Sequence, residues 1–563
     1  MQIGRAVLEK QIKLTLSDMA DITDQLVSAV QRLHDGETLF LDGGELHFYP
    51  ENGYQKEYWI SNNDGGMKSI AFPLIGKKNI TIDGQGAKLI FHGKILPFVI
   101  DGCENITIKN LSIDYAEPAY FAAKITDSGE DFVEMEYDPE IYHCDVQDKA
   151  LRFYGENWED ITDTVLVNEF DGAYKGPVPQ TPTYFACFSG RESGDFHQEI
   201  YRYVRPVKIG ENRLRLDGKI GYRHQVGKYW LCTHSNREYP GIFCNDSKNV
   251  QVFQVDLAHT LSMGVICQLC ENVTLDGVIA VPVEGRMLST NADTTHFVNC
   301  SGLVHLKNCR FESMMDDAGN FHGMYMPVAE KNSDHSLLLR FGHSQQRGVN
   351  IFKTGDKIRL VNHETLEAVC NFTVKKSTLV STENVLLETE EILPVQIPEG
   401  YVVENHSRMP KIHIENCHTG YNRPRGFLLY TNRDALVENC TFYNLNWAIA
   451  LPGDALDWFE SGAGGKAVLR NNRFDNASYA GDPVIRTQNR ISKAVGQIYH
   501  ESLIVENNYF RTNGRRFLDA SYVGNVVFRG NTFCQDNSLY GGVTLGEDGF
   551  ILCHCGNVEI EKI

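Results

Sequence analysis

Three aspartates have a spacing that would let them act together. Asp293 lies in the segment NADTTHF, and the adjacent pair Asp316 and Asp317 begins 23 residues later, in MMDDAGNFHG. Crowded carboxylates cannot all ionise with ordinary pKa values, so one is expected to keep a proton while the others stay charged. A protonated carboxyl can donate to a leaving oxygen, and a charged one can activate water or stabilise a cation-like centre. Glycoside hydrolysis uses this division of roles.

The chain around these acids repeats short alternating strands at nearly the same period. Asn272 follows Asn249 by 23 residues, and Cys440 follows Cys417 by 23 residues. Units of this size cannot bury an apolar face alone and must stack on each other. We therefore predict an all-β protein, a right-handed parallel β-helix with three short strands per coil. Examples of the repeat are NITIDGQGAKLIFHG, ENITIKNLSIDY, NVQVFQVDL, NVTLDGVIA, GLVHLKNCRFE, KIHIENC, ALVENC and LIVENNYF.

The alternative with a similar period is a leucine-rich repeat, which needs a leucine consensus and helical segments. The present units are rich in Val, Ile and Phe, with Asn at the turns, which favours the β-helix. Residues 17–34 have apolar positions at helical spacing, with Ser17 or Asp18 as N-cap. We expect this helix to cap the first coil, because an uncovered coil is an exposed sheet edge.

Two stretches interrupt the period, and each predicts a small antiparallel β-barrel inserted between coils. The second stretch begins directly after the acids, so we expect it to wall the cleft. The predicted divisions are an N-terminal cap with the first coils (1–116), an inserted barrel (117–240), central coils with the acids (241–324), a second barrel (325–405) and C-terminal coils (406–563).

Coil geometry explains how distant acids could meet. A residue one period further along lies over its predecessor, and neighbouring strands are about 4.8 Å apart. Asp316 and Asp317 can face one cleft only at a strand end or turn, because neighbouring strand residues point to opposite faces. One coil of rise with a lateral offset favours the roughly 6.5–9.5 Å separation of inverting glycosidases over the about 5 Å of retaining ones. A solvated corner or a calcium site would produce the same spacing.

Polar and aromatic residues near the acids are candidates for binding sugar hydroxyls and the apolar face of a sugar ring. Trp447, in NLNWAIALPGDALDWFE, is the preferred stacking residue. Each residue taken singly is also compatible with a structural role. The candidates are Asn291, His296, His322, Arg286, Arg423, Arg425, Trp447, Asp454 and Trp458.

Composition and charge exclude several classes of binding partner and a membrane-spanning segment. A net charge of −20 without basic runs argues against nucleic acid, an anionic membrane surface or a strongly anionic polymer. No apolar run approaches the roughly 18–20 residues of a membrane span. The N-terminus MQIGRAVLEKQIKLTLSD lacks the apolar core of a secretory signal, so we expect a cytoplasmic protein, or a secreted or periplasmic one if a leader has been removed. Homo-oligomerisation is left open.

The 15 cysteines are expected to be small buried thiols inside the coils. The closest pairs, Cys267/Cys270 and Cys553/Cys555, lack the matching second pair of a zinc site. Several cysteines follow an asparagine at equivalent places in the repeat: Cys300, Cys309, Cys417 and Cys440.

The segments RMLSTNADTTHF and NCSGLVHLKNCRFESMMDDAGNFHG resemble the family 110 glycoside hydrolases, inverting α-1,3-galactosidases that act on blood-group-B and linear α-galactosyl glycans. The resemblance extends over most of the chain, including both insertions. It implies a β-helix with inserted barrels, no metal or other cofactor, and essential aspartates at Asp293, Asp316 and Asp317. It also implies an exo-acting, inverting hydrolase that releases terminal α-1,3-linked galactose from an oligosaccharide or glycan.

The chain is more weakly similar to polygalacturonases. Their Asn-x-Asp and Asp-Asp motifs match Asn291/Asp293 and Asp316/Asp317, but their Gly-His-Gly motif is present only as Phe-His-Gly, and no Arg-x-Lys uronate clamp follows. By analogy with them, Asp316 is the expected acid, and Asp293 and Asp317 position water. The alternatives are a polygalacturonase-like or other β-helix glycosidase and, in a different class, a non-catalytic carbohydrate-binding β-helix.

Overall fold

The architecture is given by a computed structural model. It describes residues 11–13, 21–156, 158–161, 164–172, 176–178, 181, 183–188, 201–233, 237–462, 464–475, 483–493, 496–512, 516–536 and 549–561.

The body of the protein is a parallel β-helix with three strands in a complete coil. The first and second strands of the coils form one continuous parallel sheet of 21 strands. These strands are Gln11–Lys13, Thr38–Phe40, Glu45–Phe48, Lys78–Phe91, Glu104–Tyr115, Lys248–Leu257, Glu271–Asp276, Ile279–Ala280, Ser301–Lys307, Arg310–Glu312, Lys411–Glu415, His418–Gly420, Ala435–Glu438, Thr441–Tyr443, Lys466–Arg470, Arg473–Asp475, His500–Glu506, Tyr509–Thr512, Val523–Arg529, Thr532–Gln535 and Asn557–Ile560.

The third strands of the coils form a second parallel sheet. Asp293 and Asp317 each lie two residues before one of its strands. Tyr54–Tyr58 pairs antiparallel with its first member, and Glu460–Ser461 pairs antiparallel beside the acid-bearing coils. The third strands are Gly66–Ile75, Leu96–Asp101, Ile242–Asn245, Val265–Gln268, Thr295–Val298, Gly319–Ser333, Phe427–Leu429, Ile449–Gly453, Ile485–Asn489, Leu518–Ser521 and Phe550–Cys553. The predicted fold class is therefore confirmed.

In-facing side chains fill the coils, and asparagines shape the turns. Phe297 stacks on Phe321 of the next coil, with ring centroids 4.7 Å apart. Asn308 and Asn416 both adopt φ of +54°, a left-handed conformation that asparagine tolerates, and the Asn416 amide donates to the Asn308 side-chain oxygen at 3.3 Å. The four cysteines that follow an asparagine in the repeat are buried, as expected. The expectation is wrong for Cys534 and Cys553, which are exposed, and for Cys144 and Cys232, which are buried in the first insertion instead of the coils.

The first insertion leaves the β-helix after Glu104–Tyr115 and rejoins it at Ile242–Asn245. The two end strands of its main sheet, Tyr201–Tyr203 and Arg205–Lys208, are separated only by Val204, so the sheet curls back on itself like a barrel. The sequence predicts an antiparallel barrel, but one pair of strands, Tyr184–Cys187 and Tyr201–Tyr203, is parallel. The main strands are Tyr120–Ser128, Phe132–Glu136, Thr164–Asp171, Gly176–Pro177, Tyr184–Cys187, Tyr201–Tyr203, Arg205–Lys208, Arg213–Asp217 and Tyr229–Thr233, beside a three-stranded sheet of His143–Gln147, Ala150–Gly155 and Trp158–Ile161.

The second insertion is a closed six-stranded antiparallel barrel. Its first strand, Gly319–Ser333, is also the third strand of the coil that carries Asp316 and Asp317, so the barrel is joined directly to the acid-bearing turn. The pairings run in a ring through Gly319–Ser333, Ser336–Arg340, Asn384–Thr389, Ala368–Ser381, Lys357–Asn362 and Tyr401–Asn405, and then back to the first strand.

The capping helix runs over Thr23–Arg32, and its Leu26 and Val30 are buried in the core of the coils. It begins later than predicted, because the Asp21 carboxylate accepts hydrogen bonds from the Thr23 backbone N–H and hydroxyl at 2.8 and 2.6 Å. The expected caps, Ser17 and Asp18, lie outside the described residues. Short 3₁₀ helices cover Pro50–Asn52 and Ser344–Gln346. In the described part of the chain, no helix has the length and apolarity to cross a bilayer.

Candidate active site

Asp293 and Asp317 occupy the same position in consecutive coils. Each stands two residues before a third strand, and the first residues of these strands, Thr295 and Gly319, pair in parallel register. The backbone N–H of Thr294 donates to the Asp317 carbonyl at 2.9 Å, which joins the two turns directly. The repeat period therefore stacks these two acids.

Asp316 lies beside Asp317 in the turn before Gly319–Ser333, where neighbouring side chains can face one cleft. One carboxylate oxygen from each of Asp293, Asp316 and Asp317 lies within 4.8 Å of the others. The three acids therefore meet at one site, as the repeat period predicts. Their carboxylates are closer together than the roughly 6.5–9.5 Å expected from the sequence, because all three acids share one corner of the coil.

Arg425, from the next coil, holds Asp317 in a two-pronged ion pair. Its Nε donates to Oδ1 at 2.7 Å, its Nη2 donates to Oδ2 at 2.6 Å, and its backbone N–H also donates to Oδ1 at 3.0 Å. Burial raises the pKa of the Asp317 carboxyl, and the guanidinium opposes that shift. Short, two-pronged arginine–carboxylate contacts are strongest when both groups are charged, and three N–H donors on one carboxyl favour its ionised form, so we take Asp317 as a carboxylate.

Asp293 is joined to two buried histidines. Its Oδ2 lies 2.6 Å from Nδ1 of His296, whose Nε2 lies 2.8 Å from Nε2 of His322. Nδ1 of His322 donates to the Gly323 carbonyl at 2.7 Å. Burial raises the pKa of Asp293. Burial lowers the pKa of His296 to about 4 and lowers that of His322 as well.

Asp316 is the most open of the three acids. Its side chain is 26% exposed, against 4% for Asp293 and 1% for Asp317. Nη2 of Arg237, in the segment that returns from the first insertion, donates to its Oδ2 at 3.0 Å. Arg237 and Arg425 thus supply two positive charges beside the acids, and Asp293 shares a proton with histidine. The charge that a calcium ion would supply is already present, which argues against the calcium alternative.

The acids line a cavity of about 240 Å³. Sites for drug-sized ligands are usually roughly 300–1,000 Å³, so this cavity is sized for a single sugar ring. The predicted site residues that line it are Asp293, His296, Asp316, Asp317, Arg425, Asp454 and Trp458.

Trp458 forms an aromatic wall that the second barrel supports. Its ring lies 4.3 Å from that of His343, and Nε2 of Gln346 donates to its carbonyl at 2.8 Å. The Asp454 carboxylate accepts the Trp458 backbone N–H at 3.1 Å, so Asp454 shapes the loop that presents the ring. The insertion thereby walls the cleft, as its place in the sequence suggests.

Trp447, the preferred stacking residue, lies behind the cavity instead. It is 6% exposed and packs with Leu428 and Tyr430, and the Arg486 guanidinium lies 4.8 Å from its ring centre. Leu428 and Tyr430 themselves line the cavity. Trp447 therefore supports the floor, and the stacking prediction for it is wrong.

Three other predicted contacts serve the framework. The Asn291 amide donates to the Leu261 carbonyl of the preceding coil at 3.4 Å. Arg286 donates to the carbonyls of Tyr115 and Ala116, where the first insertion leaves the β-helix. Arg423 bonds Asn168, Val178 and Thr181 of that insertion, so it anchors the insertion to the acid-bearing region. His322 contacts His296 on the side away from the cavity.

Besides the apolar Pro424, Leu428 and Pro452, six polar residues that line the cavity were not predicted from the sequence: Asn62, Arg237, Asn320, Tyr430, Glu460 and Arg490.

Of these, Asn320 alone could have been found by register, because it pairs with His296 one coil earlier. Glu460 is buried, and its carboxylate accepts amide hydrogens from Asn62 at 3.2 Å and Asn320 at 3.3 Å. Burial opposes ionisation of Glu460, but hydrogen bonds from Tyr430 and Asn320 lower the pKa of its carboxyl, so it is a carboxylate.

Comparison with known proteins places these features in a family. Residues 336–403 match the model described as GLAA-B beta-barrel domain II, and residues 400–562 match the right handed beta helix region. Alpha-1,3-galactosidase A of Shewanella woodyi is 32% identical over 90% of this chain and 83% of its own. Alpha-1,3-galactosidase B of Phocaeicola vulgatus is 31% identical over 94% and 89%.

A third relative, alpha-1,3-galactosidase B of Bacteroides thetaiotaomicron, is 28% identical over 98% of this chain and 90% of its own. Among solved structures, the family 28 exopolygalacturonase of Yersinia enterocolitica is 12% identical, with a TM-score of 0.39, over 98% of this chain and 79% of that one. A likeness at this level carries no argument about chemistry.

Proposed function

We propose that this protein releases terminal α-1,3-linked galactose from oligosaccharides or glycans. The premise is that the chain belongs to the α-1,3-galactosidase family and is therefore a glycoside hydrolase. The observation that carries the proposal is the meeting of Asp293, Asp316 and Asp317 in one cavity of sugar-ring size. The relatives' names supply the sugar and the linkage.

The three acids have environments that suit different roles. Asp316 is the acid, because its carboxyl is the most open of the three. Arg237 binds Oδ2, and Nη2 of Arg425 lies 3.7 Å from Oδ1, beyond hydrogen-bond distance, so Oδ1 can carry the proton. Asp317 is the charged group that orients water, since Arg425 keeps it ionised. Asp293 completes the water site from the coil below. Each carboxylate has about four acceptor positions, so Asp317 can bind both Arg425 and water.

Water is the proposed nucleophile, which gives inversion at the anomeric carbon. The carboxylate spacing alone is close to that of retaining enzymes. A retaining enzyme needs a charged carboxylate that attacks carbon, however. The Arg425 guanidinium neutralises the charge on both Asp317 oxygens, and burial raises the pKa of Asp293. Both carboxyls are therefore poor nucleophiles, which supports direct attack by water.

The cavity walls support removal of a terminal sugar. Trp458 and the second barrel stand on one side, and Arg237, after the first insertion, stands on another. A space of about 240 Å³ between them accepts one ring rather than a continuous chain. We therefore assign exo-action.

A neutral sugar is favoured over the uronate of the polygalacturonase alternative. Every arginine that lines the described cavity is paired with an aspartate: Arg237 with Asp316, Arg425 with Asp317, and Arg490 with Asp454 and Asp457. A uronate would have to compete with these carboxylates.

Hydrolysis of Galα1-3Gal and p-nitrophenyl α-galactoside, beside polygalacturonate, tests the proposal. We expect the galactosides to be cleaved, with β-galactose as the first anomer seen by NMR. Asp293→Asn, Asp316→Asn and Asp317→Asn should each lower kcat by roughly 10²–10⁴-fold, the contribution of a positioned acid or base.

Asp334→Asn is the matched control, because Asp334 is 76% exposed on the second barrel. Full activity in the three site variants would remove the assignment of the acids. Binding of galactosides without release would favour a non-catalytic binding protein, and cleavage of polygalacturonate alone would favour the other enzyme class.

A further inference from the structure

The buried histidines behind Asp293 have a geometry that water positioning alone does not use. Three consecutive hydrogen bonds join Asp293 to His296 at 2.6 Å, His296 to His322 at 2.8 Å, and His322 to the Gly323 carbonyl at 2.7 Å. We call this chain of hydrogen bonds the proton string. The two rings are perpendicular, at 85°, with centroids 4.9 Å apart. The His296 and His322 side chains are at most 2% exposed, so the hydrogen bond between them is shielded from bulk water.

The number of protons in the proton string follows from its acceptor end. A carbonyl oxygen only accepts, so Nδ1 of His322 must carry a hydrogen. The 2.8 Å contact between the two Nε2 atoms then holds one hydrogen, and the 2.6 Å contact between Asp293 and His296 holds another. The string therefore contains three protons and has no net charge.

Burial decides where those protons rest. A low-dielectric site favours neutral groups, which places one proton on Oδ2 of Asp293, one on Nε2 of His296 and one on Nδ1 of His322. The pKa of Asp293 is raised, and those of both histidines are lowered, in agreement with this arrangement. Oδ1 of Asp293 is left as an acceptor for the cavity that this residue lines. The titratable groups that face the string are Asp316, which carries the proton for the leaving oxygen, and the charged Arg237, Arg425 and Glu460.

The far end of the proton string lies beside a charge of the right sign. Oε1 of Glu460 is 3.5 Å from Nε2 of His322. Glu460 is held as a carboxylate by the amides of Asn62 and Asn320. A positive charge formed on His322 would therefore be stabilised within the protein.

We propose that His296 and His322 are positioning residues with two effects on Asp293. At rest, they keep the Asp293 proton on the oxygen that faces away from substrate. When Asp293 accepts a proton from the attacking water, they carry the positive charge towards Glu460. The proposal rests on the proposed function for its substrate. It makes Asp293, through the two histidines, the base of the reaction.

Each bond formed in the hydrolytic step is matched by a bond that breaks. The water oxygen forms a bond to the anomeric carbon, and its proton moves to Oδ1 of Asp293. The proton on Oδ2 moves to Nδ1 of His296, and the proton on Nε2 of His296 moves to Nε2 of His322, which becomes an imidazolium beside Glu460. The bond from the anomeric carbon to the leaving oxygen breaks, and Asp316 protonates that oxygen. Exchange with solvent then returns one proton from the string to Asp316.

A metal ion between the histidines is the competing explanation, because His296, His322 and Glu460 are residue types that bind zinc. Two nitrogen ligands at roughly 2.0–2.1 Å in tetrahedral geometry would be about 3.4 Å apart. The observed 2.8 Å is the length of a direct N–H···N hydrogen bond. The distance therefore favours the proton string.

Nitrogen-15 NMR of the free protein tests the resting arrangement without substrate, with signals assigned by loss in His296→Gln and His322→Gln. We expect both histidines to be neutral at pH 7, His296 protonated on Nε2 and His322 on Nδ1. An imidazolium at either position, or the opposite tautomer of His296, would overturn the proposal. So would one equivalent of zinc per chain that is lost in both variants.

Kinetics test the role in the reaction. His322→Leu removes the acceptor for His296 and should lower kcat at least about 10-fold with KM changed less than about 3-fold, within the range of a positioned base. His322→Gln keeps an acceptor oxygen and should retain the His296 tautomer and more activity than His322→Leu. Equal activity of wild type and His322→Leu would contradict the relay.

His413→Leu is the matched control. His413 stacks on His305 at 4.7 Å, in the coil that follows the one with His322 and on the large parallel sheet away from the acids, so its loss should leave kcat unchanged. If the expected tautomers are found but no galactoside is cleaved, the proposed function fails while the resting proton string stands.

Discussion

Arg425→Met should move the acid limb of the kcat profile to higher pH. In the wild type, Arg425 supplies two charge-assisted hydrogen bonds that keep Asp317 ionised although it is only 1% exposed. Methionine leaves that carboxylate buried without its partner, and breaking a buried ion pair costs about 3–5 kcal/mol. Burial then raises the pKa of Asp317 without opposition, so the charged, active form requires a higher pH.

One pH unit corresponds to about 1.36 kcal/mol, so the lower limit of that cost predicts a shift of the acid limb of about 2 pH units. The assay is kcat for p-nitrophenyl α-galactoside from pH 4 to pH 9 at saturating substrate. Arg423→Met is the control, because Arg423 stands in the same turn but bonds the first insertion. Coincident acid limbs in wild type and Arg425→Met would refute the claim that Arg425 sets the charge of Asp317.

Three further substitutions separate binding from stability. Trp458→Ala should raise KM by roughly 2- to 10-fold, since an aromatic contact contributes about 0.5–1.5 kcal/mol. An unchanged KM would show that this wall does not contact the sugar. Trp447→Ala should lower the free energy of unfolding by about 3–5 kcal/mol while KM stays within about 2-fold, and a larger change in KM than that of Trp458→Ala would reverse their roles. Phe321→Ala should destabilise by a similar amount, measured by chemical denaturation, because it removes a fully buried ring from the Phe297 stack.

The stacking of the acids was predictable because it depends on period and register. The interval from Asp293 to the pair matches the repeat, and the paired residues Thr295 and Gly319 put Asp293 level with Asp317. The same spacing could not give the lateral distance between carboxylates. That distance depends on the shape of the corner, which the sequence pattern does not encode.

Trp447 shows a second limit of the repeat pattern. Its third strand pairs with that of the coil below so that Trp447 stands level with Arg425, yet its ring packs behind Leu428 and Tyr430. Register predicts the level of a residue, and local packing decides which way its side chain points. An aromatic residue near a site is therefore insufficient to identify a sugar platform.

The remaining cavity residues depend on contacts between segments that no repeat connects. Asn62 comes from the first coils, Arg237 from the return of the first insertion, and Glu460 from a strand that pairs antiparallel with Gly319–Ser333. Their proximity is set by how the insertions and loops fold back onto the coils. No local spacing in the sequence indicates it.

A crystal structure of the Asp316→Asn variant with Galα1-3Gal bound would show whether the three aspartates surround the anomeric carbon. We expect the terminal galactose ring in the cavity against Trp458, with the linkage oxygen facing residue 316 and a water between Asp293 and Asp317 on the opposite side of the anomeric carbon. A disaccharide bound elsewhere, or a ring whose anomeric carbon lies away from all three positions, would contradict this arrangement.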